Sequence, residues 1–390
     1  MQESFYSIND PVSAIRLTDY KADTARSALE RLLEPLGFLD TVKPGMRIII
    51  KANLVSAMKP SAAATTHPVL LGALCDMLTE RGATVVIGDS PGGLYTAAFV
   101  GRVYKVSGVS ELVREGVSLN NDFGTKTATY KDAKVLHEFL YTSYLDGADM
   151  IINFCKIKSH GMMGMSCAAK NMFGTVPGVT KPEYHFRFPE YADFADMICD
   201  LDEYFHPVLS IADGVIGMEG NGPTAGTPRK IGALLMSPNP FASDIVGETI
   251  LGFAGTVPIV REGVSRGLCP EDLSGIDLIG DAVEPLMISD FKEPDSAQNR
   301  APSLLTRFSS GKIGRFFMPR PIADATKCRG CGECVASCPQ HTIGLTVKNG
   351  KKIARIRHAD CIRCYCCQEL CPFEAIRIKK NFVIRLVDTL

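Results

Sequence analysis

The chain has 390 residues, 46% of them hydrophobic, and a formal net charge of −1. That is apolar enough to exclude a disordered polypeptide, and long enough for two or three domains at roughly 100–200 residues each. No apolar run approaches the roughly 18–20 residues that span a bilayer, and "MQESFYSINDPVSAIRL" lacks the basic start and apolar stretch of a secretory signal; a cytoplasmic location, where thiols stay reduced, is expected.

In chain order, "VSAIRL" reads as a strand followed by a helix from about Asp23 to Leu36. "MRIIIKAN" is the next strand. A helix then opens at His67-Pro68, with proline at its first position, and closes at Arg81-Gly82 before the strand "TVVIGD". His67 is read there as structural. Later strands are "DMIINFCK", "PVLSIADG", "IGALLM" and "IDLIG", with helices such as Asp193–Tyr204 and Phe241–Gly252 between some of them. This alternation predicts an α/β domain over residues 1–289, a mostly parallel sheet layered with helices. Residues 290–321 read as a linker. Within it "LLTRFSSGKIGRFFM" has the pattern of a short basic amphipathic helix, expected to dock on the main domain rather than on a membrane.

Several of these strands end in polar residues. "RIIIKAN" delivers Lys51 and Asn53, "VVIGDSPGG" Asp89, Ser90 and Gly92, "IINFCKIKSHG" Lys156, Lys158 and His160, and "SIADGVIGMEGNGP" Asp213 and Glu219. Ligands of open α/β sheets bind outside the carboxyl ends of the strands, so these four ends predict one shared site. "GDSPGG" reads equally as a strand–turn–helix with a Ser cap, its helix starting at Ser90-Pro91, or as an anion cradle at that helix start. Between them, "KIKSHGMMGMSCAAKNMFGTVPG" adds Lys170 and Asn171 at the end of a short helix, and His185 follows. The spacings of Cys155, His160, Cys167 and His185 match no standard metal site. Lys156, Lys158 and Lys170 suit an anionic substrate or cofactor.

The tail from residue 322 holds one pattern twice. Cys328-x2-Cys331-x2-Cys334-x3-Cys338-Pro339 is followed, 33 residues on, by Cys361-x2-Cys364-x2-Cys367-x3-Cys371-Pro372. Zinc sites pair hooks across a dozen or more residues, whereas three cysteines at three-residue steps suit three corners of an iron–sulfur cubane. In this bacterial ferredoxin run the fourth corner comes from the other repeat: Cys371 joins Cys328, Cys331 and Cys334, and Cys338 joins Cys361, Cys364 and Cys367. Each Cys-Pro segment is expected to open a short helix, and Asn349-Gly350 to turn a hairpin. A small C-terminal α+β two-cluster ferredoxin-like domain holding two [4Fe–4S] clusters follows. Cys366 is out of phase, a small apolar filler or else a spare redox thiol. From Pro302 onward 16 Lys/Arg face 6 Asp/Glu. Without interleaved aromatics this surplus offsets anionic clusters better than it suits nucleic acid, so no nucleic-acid partner is expected.

Taken in order, "IIIKANL…ATTHP", "VVIGDSPGG", "NFCKIKSHGMMGMSCAAKNMFGTVPG…K…H" and "DGVIGMEGNGPTAGTPR" make the chain, from about residue 13 to 380, resemble the iron–sulfur family built on domain of unknown function 362. The resemblance implies a cytoplasmic, anaerobic redox protein of unassigned substrate. Three functions are open. A reductase would take electrons from a ferredoxin or other low-potential carrier and pass them to an anionic substrate held by Lys51, Lys156, Lys158 and Lys170. His160 or His185 would supply a proton, with Asp89 or Glu219 orienting a partner or binding a further metal or cofactor. The alternatives are a non-catalytic electron-transfer subunit docking a larger redox complex, and a metallocofactor-assembly factor.

Overall fold

The unbroken apolar run Ile48–Ile50 and its counterpart around Ile152 are what strands buried on both faces require, and both lie at the centre of a sheet. The computed structural model describes residues 5–296, 319–348 and 350–379. Its strands are β1 (Val12–Arg16), β2 (Arg47–Ala52), β3 (Thr84–Gly88), β4 (Val117–Leu119), β5 (Thr125–Thr129), β6 (Glu138–Thr142), β7 (Met150–His160), β8 (Gly164–Ser166), β9 (Leu209–Glu219), β10 (Thr227–Ser237), β11 (Leu278–Gly280), β12 (Arg320–Ala323), β13 (Ile343–Lys348), β14 (Lys351–Ile356) and β15 (Ile376–Lys379).

Among the described residues nine strands form one sheet in the order β11-β1-β10-β9-β7-β2-β3-β4, with β8 paired to β7. The run β9-β7-β2-β3-β4 is parallel throughout, and β1 and β11 are parallel to each other. Only β8 and β10 run against their neighbours. This is the expected mostly parallel α/β sheet. Helices Ala22–Leu33 and Pro68–Thr79 cover one face, burying Leu29, Leu32, Leu71 and Leu74 against Ile48, Ile50 and Phe154. Helices Tyr191–Phe205, Pro240–Ile250 and Pro258–Ser265 cover the other with Ile198, Phe241 and Val260. Each such fully buried Leu, Ile or Phe contributes about 1.5–3 kcal/mol.

The chain leaves β2 for β3 and β4 on one side, then returns to lay β7 on the other. That reversal makes the crevice between the carboxyl ends of β2 and β7 a topological switch point, where open α/β sheets bind ligands. The expected helix at Ser90-Pro91 is absent. Residues after β3 stay in a loop until helix Ala97–Val106, whose cap is Thr96, its Oγ1 accepting from Phe99 N.

In the tail, β13 and β14 form a hairpin in the register Lys348↔Lys351, and β12 pairs antiparallel with β15. Asn349 lies outside the described residues, as do residues 297–318 and with them the anticipated basic helix. The short helices are Glu333–Ala336 and Cys366–Glu369, ahead of each Cys-Pro rather than after it. Proline disfavours helix at the residue before it, so each turn closes at the fourth cysteine.

The two repeats share a backbone. Gly330 and Gly332 have positive φ, and so do Arg363 and Tyr365 at the matching positions of the second run. Tyr365 is buried in this left-handed conformation, with its hydroxyl donating to Pro319 O at 3.0 Å and its ring against Gly161. Burial of that ring offsets a backbone cost of about 1–2 kcal/mol.

Candidate functional site

Beneath the switch point lies a buried ion pair, Lys51 Nζ to Asp89 Oδ1 at 2.6 Å. Asp89 also accepts from Leu54 N at 2.7 Å and Ser90 N at 2.8 Å. Lys51 donates to Ala52 O at 2.7 Å and Asn171 Oδ1 at 3.3 Å. A buried pair is tolerable when its remaining donors and acceptors are satisfied in this way. Gly174 permits the approach, since a Cβ there would collide with both Asp89 Oδ1 and Lys51 Nζ. Asn171 bridges the strands: its Oδ1 accepts from Asn53 Nδ2 at 2.8 Å and its Nδ2 donates to Asn153 Oδ1 at 2.7 Å.

Above this base opens a cavity with about 780 Å³ of non-atomic space, part of it reaching solvent. Three lysines line it. Lys158 donates to Asn53 Oδ1 and Ala64 O, both at 2.7 Å. Lys181 donates to Ser90 O. The Lys170 ammonium stands 4.5 Å from the centre of the Phe173 ring and 5.6 Å from that of Phe194, a cation–π setting. Burial, aided by neighbouring ammonium groups, pulls Lys158 and Lys181 down to about 7 and Lys170 to about 8. These groups therefore exchange protons near neutrality.

Two histidines complete the polar lining. His160 Nδ1 accepts from Met162 N and Met163 N at 3.2 Å, which leaves the proton on Nε2, 3.5 Å from Glu369 Oε1. His185 stacks on Phe194 at 4.5 Å, and its Nδ1 has no hydrogen-bond partner among the described residues. Burial and the adjacent lysines hold His160 well below the usual histidine range and His185 at about 3. Both rings are neutral at pH 7, so the groups poised to give up a proton there are the lysines.

The tail closes the cavity. Cys366, Glu369 and Leu370 form one wall, Leu370 lying against Gly92, and Thr224 Oγ1 donates to Glu369 O at 2.9 Å. Glu369 Oε1 is buried, without a hydrogen-bond partner among the described residues. Behind this wall Cys338, Cys361, Cys364 and Cys367 line a second cavity, and Cys366 lines both. Farther out, Cys328, Cys331, Cys334 and Cys371 line a third. The eight cysteines thus gather as two sets of four, each drawing its fourth member from the other run. Four thiols around a pocket otherwise lined largely by apolar residues such as Ile343, Ile356, Ala354 and Ile376 fit a cubane. Thr342 N reaches Cys338 Sγ at 3.3 Å and Ala375 N reaches Cys371 Sγ at 3.2 Å, equivalent bonds in the two repeats. Among the described residues no three His, Cys, Asp or Glu side chains stand where they could hold a single metal ion.

Of the residues expected at a shared site, Asn53, Asp89, Ser90, Gly92, Lys158, His160, Lys170, Asn171 and His185 line the lysine cavity, with Lys51 directly beneath. Asp213 and Glu219 are elsewhere. Asp213 is spent on Lys156 Nζ at 2.9 Å, Tyr20 OH at 2.9 Å and His67 N at 3.1 Å. Glu219 Oε2 accepts from Lys292 N at 3.2 Å and lies 3.9 Å from Arg229 Nη1. Sequence reasoning gave no site role to Lys181, although it is the lysine of the family motif a few residues after "VPG", and it missed Glu369. A signal for Glu369 existed: between the third and fourth cysteines it stands where the first repeat has Ala336. Likewise buried Cys366 occupies the place of exposed Glu333.

Residues 48–248 match the family model described as domain of unknown function (DUF362), and residues 327–375 match that of a 4Fe-4S dicluster domain. A thylakoid-associated protein of Synechocystis is 34% identical over 263 residues, 66% of this chain and 80% of that protein. A ferredoxin of Methanothermococcus thermolithotrophicus is 36% identical over 59 residues, 15% of this chain and 93% of the ferredoxin. Among solved structures, the lactate racemase apoprotein of Thermoanaerobacterium thermosaccharolyticum superposes with a TM-score of 0.40 at 14% identity, over 64% of this chain and 58% of that one. No described helix is long and apolar enough to cross a membrane.

Proposed function

The chain belongs to the family of the domain of unknown function DUF362, here with a 4Fe-4S ferredoxin-type tail, and on that footing we propose that it is a reductase acting on a small anionic substrate or cofactor in the lysine cavity. Cys328, Cys331, Cys334 and Cys371 would hold one [4Fe–4S] cluster, and Cys338, Cys361, Cys364 and Cys367 the other. Such clusters supply electrons one at a time at low potential.

The carrying observation is the shared wall: Cys366 borders both the lysine cavity and the cavity of Cys338, Cys361, Cys364 and Cys367. Lys170 and Lys181 hold the anion, since three ammonium groups against Glu369 leave the cavity short of negative charge once Lys51 is paired with Asp89. Lys158, which titrates at about 7, supplies or recovers the proton that accompanies reduction. His160 directs its Nε2–H toward the substrate and Glu369. A non-catalytic subunit docking a larger complex is less favoured, because the polar strand ends are covered by the tail instead of presenting an open face.

The test is to reduce the anaerobic protein fully and mix it with a panel of small 2-oxo acids, enoates and phosphate esters, following cluster absorbance. At least one anion should reoxidise the wild type, and Lys170→Met should slow that reaction about 100-fold or more at unchanged iron content. Reoxidation equally fast in Lys170→Met would remove the cavity from the reaction.

A further inference from the structure

The two cysteine cavities differ in what surrounds them. That of Cys338, Cys361, Cys364 and Cys367 faces the main domain through Tyr365 and Cys366, whereas Cys331, in the other, is the one exposed cysteine of the eight. Around Cys331 lies an apolar surface that is exposed among the described residues. Leu345 and Phe373 line the same cavity and are each 42% exposed, and Val347, two residues along β13 from Leu345, is 66% exposed. Apolar groups of this size rimmed by charge mark interaction sites.

The rim is basic. Lys327, Arg329, Lys348, Lys351 and Lys352 are all exposed. Lys352 sits beside Gly330, where an added Cβ would lie 2.8 Å from that of the lysine, and it pairs with Val347 across the hairpin. The neighbouring acids are fewer: Glu333, and Glu374, already 3.8 Å from Lys327. Lys348 and Lys351, paired next to the hairpin turn, are exposed, so they are placed to meet another surface as well as to offset a cluster.

We propose that this face, Leu345, Val347 and Phe373 ringed by the hairpin lysines, docks a small acidic one-electron carrier protein against the Cys331 side of the tail. The proposal rests on reading the tail as the module through which electrons are exchanged, and it is independent of what the lysine cavity binds. Electrostatic complementarity of this kind steers encounter and fixes orientation. Electron tunnelling falls steeply with distance, so a carrier does best at the set that holds Cys331, the most exposed of the eight.

The test is a calorimetric titration of the full chain, clusters loaded, with an oxidised plant-type [2Fe–2S] ferredoxin as the acidic probe. Binding should weaken with added salt. Lys351→Glu/Lys352→Glu should raise the Kd about tenfold or more at unchanged iron content, and the charge-matched control Lys105→Glu/Lys131→Glu, at exposed sites of the main domain, should leave it unchanged. An unchanged Kd in the hairpin variant, or equal weakening in both, would overturn the proposal. No substrate enters this measurement, so its failure is separable from failure of the reductase reading.

Discussion

Asp89→Ala is expected to lower the stability of the main domain by about 3–5 kcal/mol, read as a fall in the urea midpoint of the cluster-loaded protein. The size follows from what is left behind. Lys51 is fully buried, and without Asp89 its ammonium keeps only Ala52 O and Asn171 Oδ1 as partners. Two backbone N–H groups, of Leu54 and Ser90, lose their acceptor as well. Breaking a buried pair from one side costs far more than the pair itself contributes, because the remaining charge cannot reach water. Asp89→Asn, which keeps an acceptor for one of those N–H groups, should cost less. A midpoint in Asp89→Ala equal to that of the wild type would mean the pair is not the base of the site.

Sulfate binding in the cavity is expected to weaken by at least about 100-fold between pH 6.5 and 9.5, since each unit separating free and bound pKa values is a factor of ten. Sulfate keeps its charge over this range, so the change reports the protein. Lys158 and Lys181 titrate at about 7 and Lys170 at about 8, all far below the usual lysine value. An anion favours the ammonium forms and raises their pKa values. Affinity is therefore full below pH 7 and is lost as pH rises through 7–8, with proton uptake on binding in the upper part of the window. The unliganded protein shows the opposite trend in stability. Between about pH 7 and the usual lysine range the unfolded chain holds more protons than the folded one, so these lysines make stability rise with pH there. Calorimetry in two buffers of different ionisation enthalpy measures both affinity and proton uptake. A flat profile would mean that the three lysines do not hold the anion.

Much of this site was legible because strand ends and polar residues coincide. Apolar runs such as "RIIIKAN" announce buried parallel strands, and the residues that break them, Lys51, Asn53, Asp89 and Lys158, had to be where the sheet stops. That reasoning could not sort one strand end from another. In sequence Asp213 ends the apolar run "LSIAD" much as Asp89 ends "VVIGD", yet β9 continues to Glu219 and lies beyond β7, where Lys156, Tyr20 and His67 claim the Asp213 carboxylate. Ser90 failed as a helix cap for a tertiary reason: its hydroxyl accepts from Gly178 N at 2.8 Å and its N–H donates to Gly174 O at 3.2 Å, contacts set by a segment more than eighty residues away. Glu369 was hidden by the strength of the motif around it, and Cys366, visible as out of phase, kept an open role, since both depend on how the tail meets the main domain, which spacing does not encode. The grouping of the eight cysteines, by contrast, follows from spacing and backbone alone, down to the left-handed positions shared by Gly330 and Arg363 and by Gly332 and Tyr365.

The central claim is that the lysine cavity and one cysteine set share a wall. It is tested most directly by electron paramagnetic resonance of the dithionite-reduced protein with and without sulfate at pH 6.5. An anion beside Cys366 should shift the spectrum of one cluster and leave the other unchanged, and Lys170→Met/Lys181→Met should abolish the shift while retaining full iron. Spectra that ignore sulfate while calorimetry shows it bound, or a shift that survives in the double variant, would contradict the account.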